Sequence, residues 1–109
     1  MRYMLMICDD ESEHRDAAED SEGYAWFREM ERRGVLRGGE RLRPSGDATT
    51  VRMRGGKVLL SDGPFAEAKE QMGGFNIIEC ADLDEAIEVA YRHPVARHGT
   101  IEVRPIWEA

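Results

Sequence analysis

Apolar residues recur along the chain at two periods, one typical of strands and one typical of helices. Continuous or alternating apolar runs predict strands over residues 1–8, 35–42, 49–54, 57–61, 75–80 and 100–106. Helical spacing predicts one helix that follows a cap at Ser21 and ends at Gly34, and a second that follows Asp82 and ends before Pro94. The predicted order is therefore β-α-β-β-β-β-α-β.

The segment between the first strand and the first helix is strongly acidic. Residues 9–20 carry seven Asp and Glu and no large apolar side chain, so an exposed loop is expected. In the helix that follows, Trp26, Phe27 and Met30 fall on one face with Tyr24 at its edge. Such a stripe is more typical of a core than of a cofactor site.

Gly55-Gly56 joins the strands 49–54 and 57–61 into a hairpin. Without that hairpin the order is a twice-repeated β-α-β, which is the split arrangement of a ferredoxin-like α+β sheet with two helices on one face. The chain is predicted to be a single domain over residues 1–109. Strands 1–8 and 75–80 carry apolar side chains on both faces of the predicted sheet, whereas the two helices cover only one of these faces. We therefore predict a homodimer in which a second copy covers the other face.

Composition narrows the function classes. The 109 residues are 41% hydrophobic and carry a net charge of −7, which argues against binding to nucleic acid or to an anionic membrane surface. The chain has no apolar run of membrane-spanning length, and its first strand is too short for a signal peptide, so a cytoplasmic protein is expected. Cys8 and Cys80 lie far apart without metal-ligand spacing and are interpreted as buried thiols. The sequence contains no cofactor motif, so neither a cofactor nor a metal is predicted.

Residues 61–74 form the most informative segment, because they place an aromatic residue and several charges between two predicted strands. Asp62-Gly63-Pro64 has the composition of a turn, and its simplest interpretation is a structural turn without a role in binding. Phe65 is equally compatible with a plug in the core, and Glu67, Lys69 and Glu70 with a solvated surface. Taken together, these polar groups on a loop held by strands predict the wall of a ligand pocket.

The same segment resembles a known family. Asp62-Gly63-Pro64-Phe65, the run 66–70 and Gly73-Gly74-Phe75 look like the signature of the DGPF branch of the YCII-related proteins. Residues 2–6, 34–42, 50–52 and 103–105 fit the same pattern, so the resemblance covers nearly the whole chain. It implies a dimeric α+β barrel built from ferredoxin-like halves, in small bacterial cytoplasmic proteins with a cleft. It also implies links to the breakdown of small aromatic compounds and to extracytoplasmic-function sigma factors.

One departure from the family pattern concerns the suspected acid–base pair. Many relatives carry a His near the start of the first helix together with an Asp, whereas Tyr24 and its neighbours occupy that region here. Asp9 or Asp10 can still supply a carboxylate at the end of the first strand, and His14 and His98 are alternative histidines without an assigned role. The catalytic residues are therefore left unassigned.

Three hypotheses of function remain open. The first is a binding module, with a regulatory role as one version, that holds a small polar or aromatic molecule. Its proposed ligand-binding residues are Asp9, Tyr24, Asp62, Gly63, Pro64, Phe65, Glu67, Lys69 and Glu70. The second is a cofactor-independent enzyme of the lyase or isomerase type. The third is a sigma-factor-associated interaction protein, which would expose an apolar patch outside the dimer contact.

Overall fold

Strands and helices follow one another in the predicted order. The computed structural model of the protein describes residues 1–13 and 17–108. The elements are β1 Arg2–Asp9, α1 Ala17–Arg32, β2 Leu36–Arg41, β3 Thr49–Arg54, β4 Lys57–Asp62, β5 Gln71–Glu79, α2 Leu83–Tyr91 and β6 Thr100–Pro105. Two short 3₁₀ turns, Ser45–Asp47 and Pro94–Arg97, complete the description.

The main sheet has the strand order β2-β5-β1-β6, and every neighbouring pair is antiparallel. This is the ferredoxin-like split β-α-β arrangement, so the predicted fold class is confirmed. Strands β3 and β4 pair with each other in a separate two-stranded sheet, as expected for an inserted hairpin. Gly55 and Gly56 form its turn with φ of +55° and +75°, values that suit glycine in a two-residue hairpin connection.

The core lies on the face of the sheet that both helices cover. Tyr3, Leu5 and Ile7 of β1 alternate along this face and join a single buried cluster with Trp26 of α1 and Val89 of α2. The indole Nε1–H of Trp26 donates to the carbonyl of Val89 at 2.9 Å, which ties the two helices together inside the core. A buried Trp generally needs such a partner for its N–H group.

The opposite face of the sheet is apolar along its two central strands, β1 and β5, whereas the edge strands β2 and β6 place Glu40, Glu102 and Arg104 on it. Met4, Met6 and Cys8 of β1 point to it, and each is about half-buried. The cross-strand partners of Met4 and Met6 on β5 are Ile77 and Phe75, which share the same face. Because the helices pack on the other side, these side chains are shielded only in part. We refer to Met4, Met6, Cys8, Phe75 and Ile77 as the open sheet face.

The first helix begins earlier than predicted. It starts at Ala17, so the end of the segment expected to be a loop is helical. Two alanines of high helix propensity followed by Glu19 and Asp20, whose charges suit the positive end of the helix dipole, explain the earlier start. Its end at Gly34 is confirmed, with φ of +74° and the Val35 N–H donating to the carbonyl of Met30 at 3.2 Å.

The apolar stripes of both helices were predicted only in part. On α1, Trp26 and Met30 are buried, but Phe27 is 39% exposed. On α2 the buried residues are Ala86, Val89 and Ala90, whereas Leu83 and Ile87, apolar residues at helical spacing, are exposed. Val89, whose carbonyl accepts from Trp26, lies on the side of α2 that is buried.

An ion pair between the helices supplies a prediction about pH. Arg33 donates to Glu88 of α2 at 2.7 Å, both side chains are about a quarter exposed, and this contact with Arg33 holds the pKa of Glu88 below its ordinary value. We expect Glu88→Gln to lower the free energy of unfolding by about 1 kcal/mol at neutral pH. A depressed pKa stabilises the fold above the ordinary value and loses that effect as the pH falls through the lowered pKa, so the two proteins should differ at neutral pH and converge in acid.

Urea unfolding at the two pH values measures this difference. Glu29→Gln is the matched control, because its ion pair with Arg32 lies within one helix and is more exposed, so a smaller change is expected. A difference at Glu88 that persists unchanged in acid would contradict the electrostatic explanation.

Candidate functional site

A cavity of about 650 Å³ lies on the helix side of the sheet, at the end where β1 finishes and β5 begins. Helix α1 forms one wall, the strands β1, β2 and β5 form the floor, and the 3₁₀ turn Pro94–Arg97 with its flanking histidines closes another side. Tyr24 lies in the wall, Asp9 and Gly74 lie in the floor, and His98 lies on the third side. We call it the helix-side cavity.

Glycines create much of its space. Gly39 of β2 and Gly74 of β5 lie in the floor, where the two backbones approach closely, and a Cβ atom at Gly39 would lie 2.4 Å from the carbonyl oxygen of Phe75. Gly23 lies in the wall contributed by α1, and a Cβ atom there would meet nothing within 4 Å. A glycine inside a helix costs about 0.5–1 kcal/mol relative to alanine. Gly23 therefore keeps volume open at a small expense in helix stability.

Aromatic rings line the remaining wall. Trp26 is buried behind the cavity and meets the ring of His93 edge-on, with centroids 4.8 Å apart. Phe27 and Tyr24 are exposed residues of α1 that border the cavity, which explains why the predicted stripe is not fully buried. The guanidinium of Arg28 stacks over the Tyr24 ring at 4.6 Å from its centroid. These flat surfaces suit an aromatic or other apolar ligand.

Charge in the cavity is predominantly negative. Asp9, Glu19 and Asp20 bring three carboxylates to it, whereas Arg41 contributes a positive charge. Asp9 and Glu19 are half-buried, and the other two are exposed. Such a field favours a cationic or hydrogen-bond-donating ligand over an anion.

Two histidines border the same space. The Nδ1 atom of His93 accepts a hydrogen bond from the Val95 N–H at 3.1 Å, which leaves Nε2 to carry the proton of the neutral ring. The Nδ1 atom of His98 lies 3.6 Å from a carboxylate oxygen of Glu19. A carboxylate beside an imidazole is a common arrangement for moving a proton.

Sequence reasoning gave these histidines no functional weight, although the topology places them here. Strand β6 pairs with β1 so that Thr100 lies opposite Cys8, which brings the segment before β6 next to Asp9. The predicted strand order therefore contained the signal. His14, the third histidine considered, lies outside the residues that the structure describes.

The signature Asp62-Gly63-Pro64-Phe65 closes the base of the hairpin. Gly63 has φ of +89°, and its N–H donates to the carbonyl of Ala48 at 2.7 Å. Its carbonyl accepts from Thr50 Oγ1 at 2.8 Å. Asp62 ends β4 opposite Thr49, and Phe65 projects from the turn with 81% of its surface exposed. The turn interpretation of Asp62-Gly63-Pro64 thus describes its geometry.

The rest of the loop borders a second, shallower cleft of about 480 Å³, the loop-side cleft. Pro64, Glu67 and Lys69 line it together with Asp10. Hydrogen bonds from Ser12 hold the pKa of Asp10 below its ordinary value, and the positive charge of Lys69 adds to this. The loop itself is fixed by the Gln71 side chain, which donates to the carbonyls of Ala66 and Ala68 at 3.0 Å each.

The predicted site residues are therefore divided between different places. Asp9 and Tyr24 lie in the helix-side cavity, and Pro64, Glu67 and Lys69 lie in the loop-side cleft. The other four line neither space: Asp62, Gly63, Phe65 and Glu70. Glu70 instead accepts a hydrogen bond from Thr100 Oγ1 at 2.7 Å, which ties the loop to β6. A role of these residues in ligand binding stays a prediction.

Two further observations concern the part of the chain that the structure describes. It contains no group of three or more His, Cys, Asp and Glu side chains placed to hold a metal ion. None of its helices has the length and apolar character needed to cross a membrane. Cys8 and Cys80 are free thiols, and burial raises the pKa of Cys80 to about 11.

Fold and site together define a ferredoxin-like α+β protein with a glycine-floored cavity under its first helix. The domain model of the YCII-related proteins matches residues 1–109, so the chain belongs to the YCII-related family, as its DGPF segment predicted. It is also similar to an uncharacterized protein of Rhizobium meliloti (strain 1021), with 47% identity over 68 residues. That match covers 61% of this chain and 55% of the relative, so the chain matches little more than half of the relative's length.

Proposed function

We propose that the protein binds a small molecule with an aromatic ring in the helix-side cavity, and that it does so as a cytoplasmic homodimer. The observation that carries the proposal is the cavity itself: its volume of about 650 Å³ lies within the range of known ligand sites. Aromatic walls from Tyr24 and Phe27 and a floor opened by glycines give it the shape and surface of a binding site. The DGPF loop leads directly into this floor, because β5 starts at Gln71 and reaches the cavity at Gly73.

The charges of the side chains that line the cavity restrict the class of ligands that would bind there. The carboxylates of Asp9, Glu19 and Asp20 outnumber the guanidinium of Arg41, so a ligand that carries an amine or another hydrogen-bond donor is favoured over a carboxylate. Aromatic faces such as that of Tyr24 also attract organic cations. The proposed ligand is a small molecule with an aromatic ring that carries either an alkylamine, which is cationic at neutral pH, or an uncharged hydroxyl group.

The homodimer is proposed from the open sheet face. Met4, Met6, Phe75 and Ile77 form an apolar surface on one side of a molecule only 17 Å thick in its smallest dimension. A second copy would remove this surface from water by sheet-on-sheet packing, which places two sheets about 10 Å apart.

Three probes that share one ring test the ligand class. At neutral pH, benzylamine carries a cationic group on the ring, benzyl alcohol an uncharged hydroxyl and benzoate an anionic carboxylate. We expect thermal shift and calorimetry to show binding in the order amine, then alcohol, with benzoate weakest. Benzoate binding as tight as benzylamine would contradict the assignment made from the carboxylates.

A substitution in the wall tests the location. Gly23→Leu should place a side chain in the open volume and abolish benzylamine binding, while the helix keeps its stability because leucine is a better helix former than glycine. Ala25→Leu is the matched control on the same helix, at an exposed position outside the lining, and should bind as the wild type does. Equal binding by both variants would exclude the helix-side cavity.

A second candidate function rests on the pairing of His98 with Glu19 beside Asp9 in the same cavity. These groups could act as acid and base on a bound molecule, which makes a cofactor-independent enzyme the alternative. Incubating each bound probe, and any metabolite found by screening, with wild type and His98→Gln tests it. Product formed by the wild type and lost in the variant, with binding retained, would favour the enzyme; ligands recovered unchanged would favour the binding module.

A further inference from the structure

The hairpin Thr49–Asp62, which we call the arm, is amphipathic with its apolar side in solvent. Its register pairs Val51 with Leu60 and Met53 with Val58, so these four side chains share one face. They are 60% to 67% exposed. Four large apolar residues in one exposed patch are unusual on a surface that has no partner.

No part of the chain that the structure describes covers the arm. Beyond their pairing with each other, β3 and β4 make few contacts with other elements, and no residue of either strand is buried. Only its base is fixed, by the contacts of Gly63 with Ala48 and Thr50. The DGPF turn therefore holds a projecting strand pair in a defined direction, a role that neither cavity explains.

The opposite face of the arm carries positive charge. Arg52, Arg54 and Lys57 lie on it, and residues 49–61 contain no Asp or Glu. The whole chain has a net charge of −7, so the rest of the molecule is more acidic still. A basic arm on an acidic body is complementary to a second copy of the same chain.

An apolar seat of matching character exists on that second copy. The open sheet face presents Met4, Met6, Phe75 and Ile77, which are only partly shielded within one chain. Two antiparallel strands with one apolar face pack on such a surface as sheet on sheet. The exchange is reciprocal, because each copy offers one arm and one open face.

We propose that the arm holds a second copy of this chain. The DGPF turn fixes its direction, and its apolar side chains pack on the open sheet face of that copy: Val51, Met53, Val58 and Leu60. This inference rests on the proposed homodimer and names the element that holds it. It also gives the family signature a structural role in assembly, separate from ligand binding.

Two neighbouring leucines on opposite faces of β4 provide the test. Leu60→Lys places a charge on the apolar face of the arm, whereas Leu59→Lys places the same charge on the basic face beside Arg52. Both positions are exposed in the subunit, so both variants should fold, with unchanged far-UV circular dichroism. By sedimentation velocity we expect wild type and Leu59→Lys to be dimers and Leu60→Lys to be a monomer at the same concentration.

Labelling of Cys8 locates the seat. Cys8 is half-buried on the open sheet face, whereas Cys80 is fully buried. Burial raises the pKa of both thiols, to about 11 for Cys80, so the difference in access to the reagent distinguishes them. We expect a maleimide to react with Cys8 several-fold faster in Leu60→Lys than in the wild type or in Leu59→Lys.

The outcomes distinguish the hypothesis that the protein is a homodimer from the hypothesis that the arm holds that homodimer together. A wild type that is monomeric would overturn both and leave the arm for another partner. A wild-type dimer that Leu60→Lys does not dissociate would overturn the role of the arm alone. Dissociation without faster labelling of Cys8 would overturn the open sheet face as its seat.

Discussion

Gly39→Ala should lower the free energy of unfolding by about 3 kcal/mol or more, a large part of the stability of a small protein. Gly39 has φ of +149°, a conformation that residues with a side chain rarely adopt. A Cβ atom there would also lie 2.4 Å from the Phe75 carbonyl oxygen and 2.9 Å from the Cα of Asn76. Both are backbone atoms of β5, so β2 could admit the methyl group only by separating from its neighbour.

The adjacent glycine is the control. Gly38 has no positive φ, and a Cβ atom there would meet nothing within 4 Å. We expect Gly38→Ala to be neutral or to stabilise by up to about 1 kcal/mol, since alanine restricts the unfolded chain. Chemical denaturation of both variants makes the comparison. Similar losses at the two positions would show that strand propensity, and not the close approach of β2 to β5, is responsible.

Trp26→Ala should cost about 3–5 kcal/mol. The indole is 5% exposed, fills the space between the helices and meets the His93 ring at the back of the helix-side cavity. Trp26→Phe should cost about 1–3 kcal/mol, because it leaves the Val89 carbonyl without its donor at 2.9 Å. We expect both variants also to bind benzylamine more weakly, since His93 loses the surface that positions it.

The chain contains a matched tryptophan at the opposite extreme of exposure. Trp107 is 96% exposed, so Trp107→Ala should leave the unfolding free energy of the subunit nearly unchanged. Thermal and urea unfolding measure all three variants. A loss at Trp107 as large as at Trp26 would mean that the core is not organised around the contact between the two helices.

Most of the fold could be predicted because each element has a local signal. The alternation in β1, the Gly55-Gly56 turn and the cap at Asp82 are short-range features, and the structure places a strand, a hairpin and a helix start at each. The Asp82 side chain accepts from the Glu85 N–H at 2.9 Å, as the sequence predicted. Two helices with apolar stripes, together with a hairpin that can be set aside as an insertion, make the ferredoxin-like order the simplest arrangement.

Burial was harder to predict, because it depends on contacts between elements that are distant in sequence. Phe27 and Ile87 carry apolar side chains at helical spacing, yet both are largely exposed. The buried side of α2 contacts Trp26, which lies 63 positions away from Val89 in the chain. The periodicity of apolar residues predicts that a helix has an apolar stripe, but it does not predict which part of that stripe another element covers.

The residues that the sequence grouped into one candidate site do not line one space in the structure. The composition of residues 61–74 indicated function, and the loop does lie at the end where both cavities occur. Its turn, however, secures the arm, and the groups that line the larger cavity come from α1, from β1 and from the segment before β6. Convergence of this kind follows from strand order, which brings His98 beside Asp9 although 89 positions separate them.

The central claim is that a small aromatic amine occupies the cavity under the first helix, and titration with benzylamine followed by amide chemical shifts tests it most directly. The account predicts that the largest shifts fall on Gly23, Gly73 and Gly74, with Gly23→Leu removing them. Shifts confined to Ala68 and Lys69 in the loop-side cleft, and unaffected by that substitution, would contradict it.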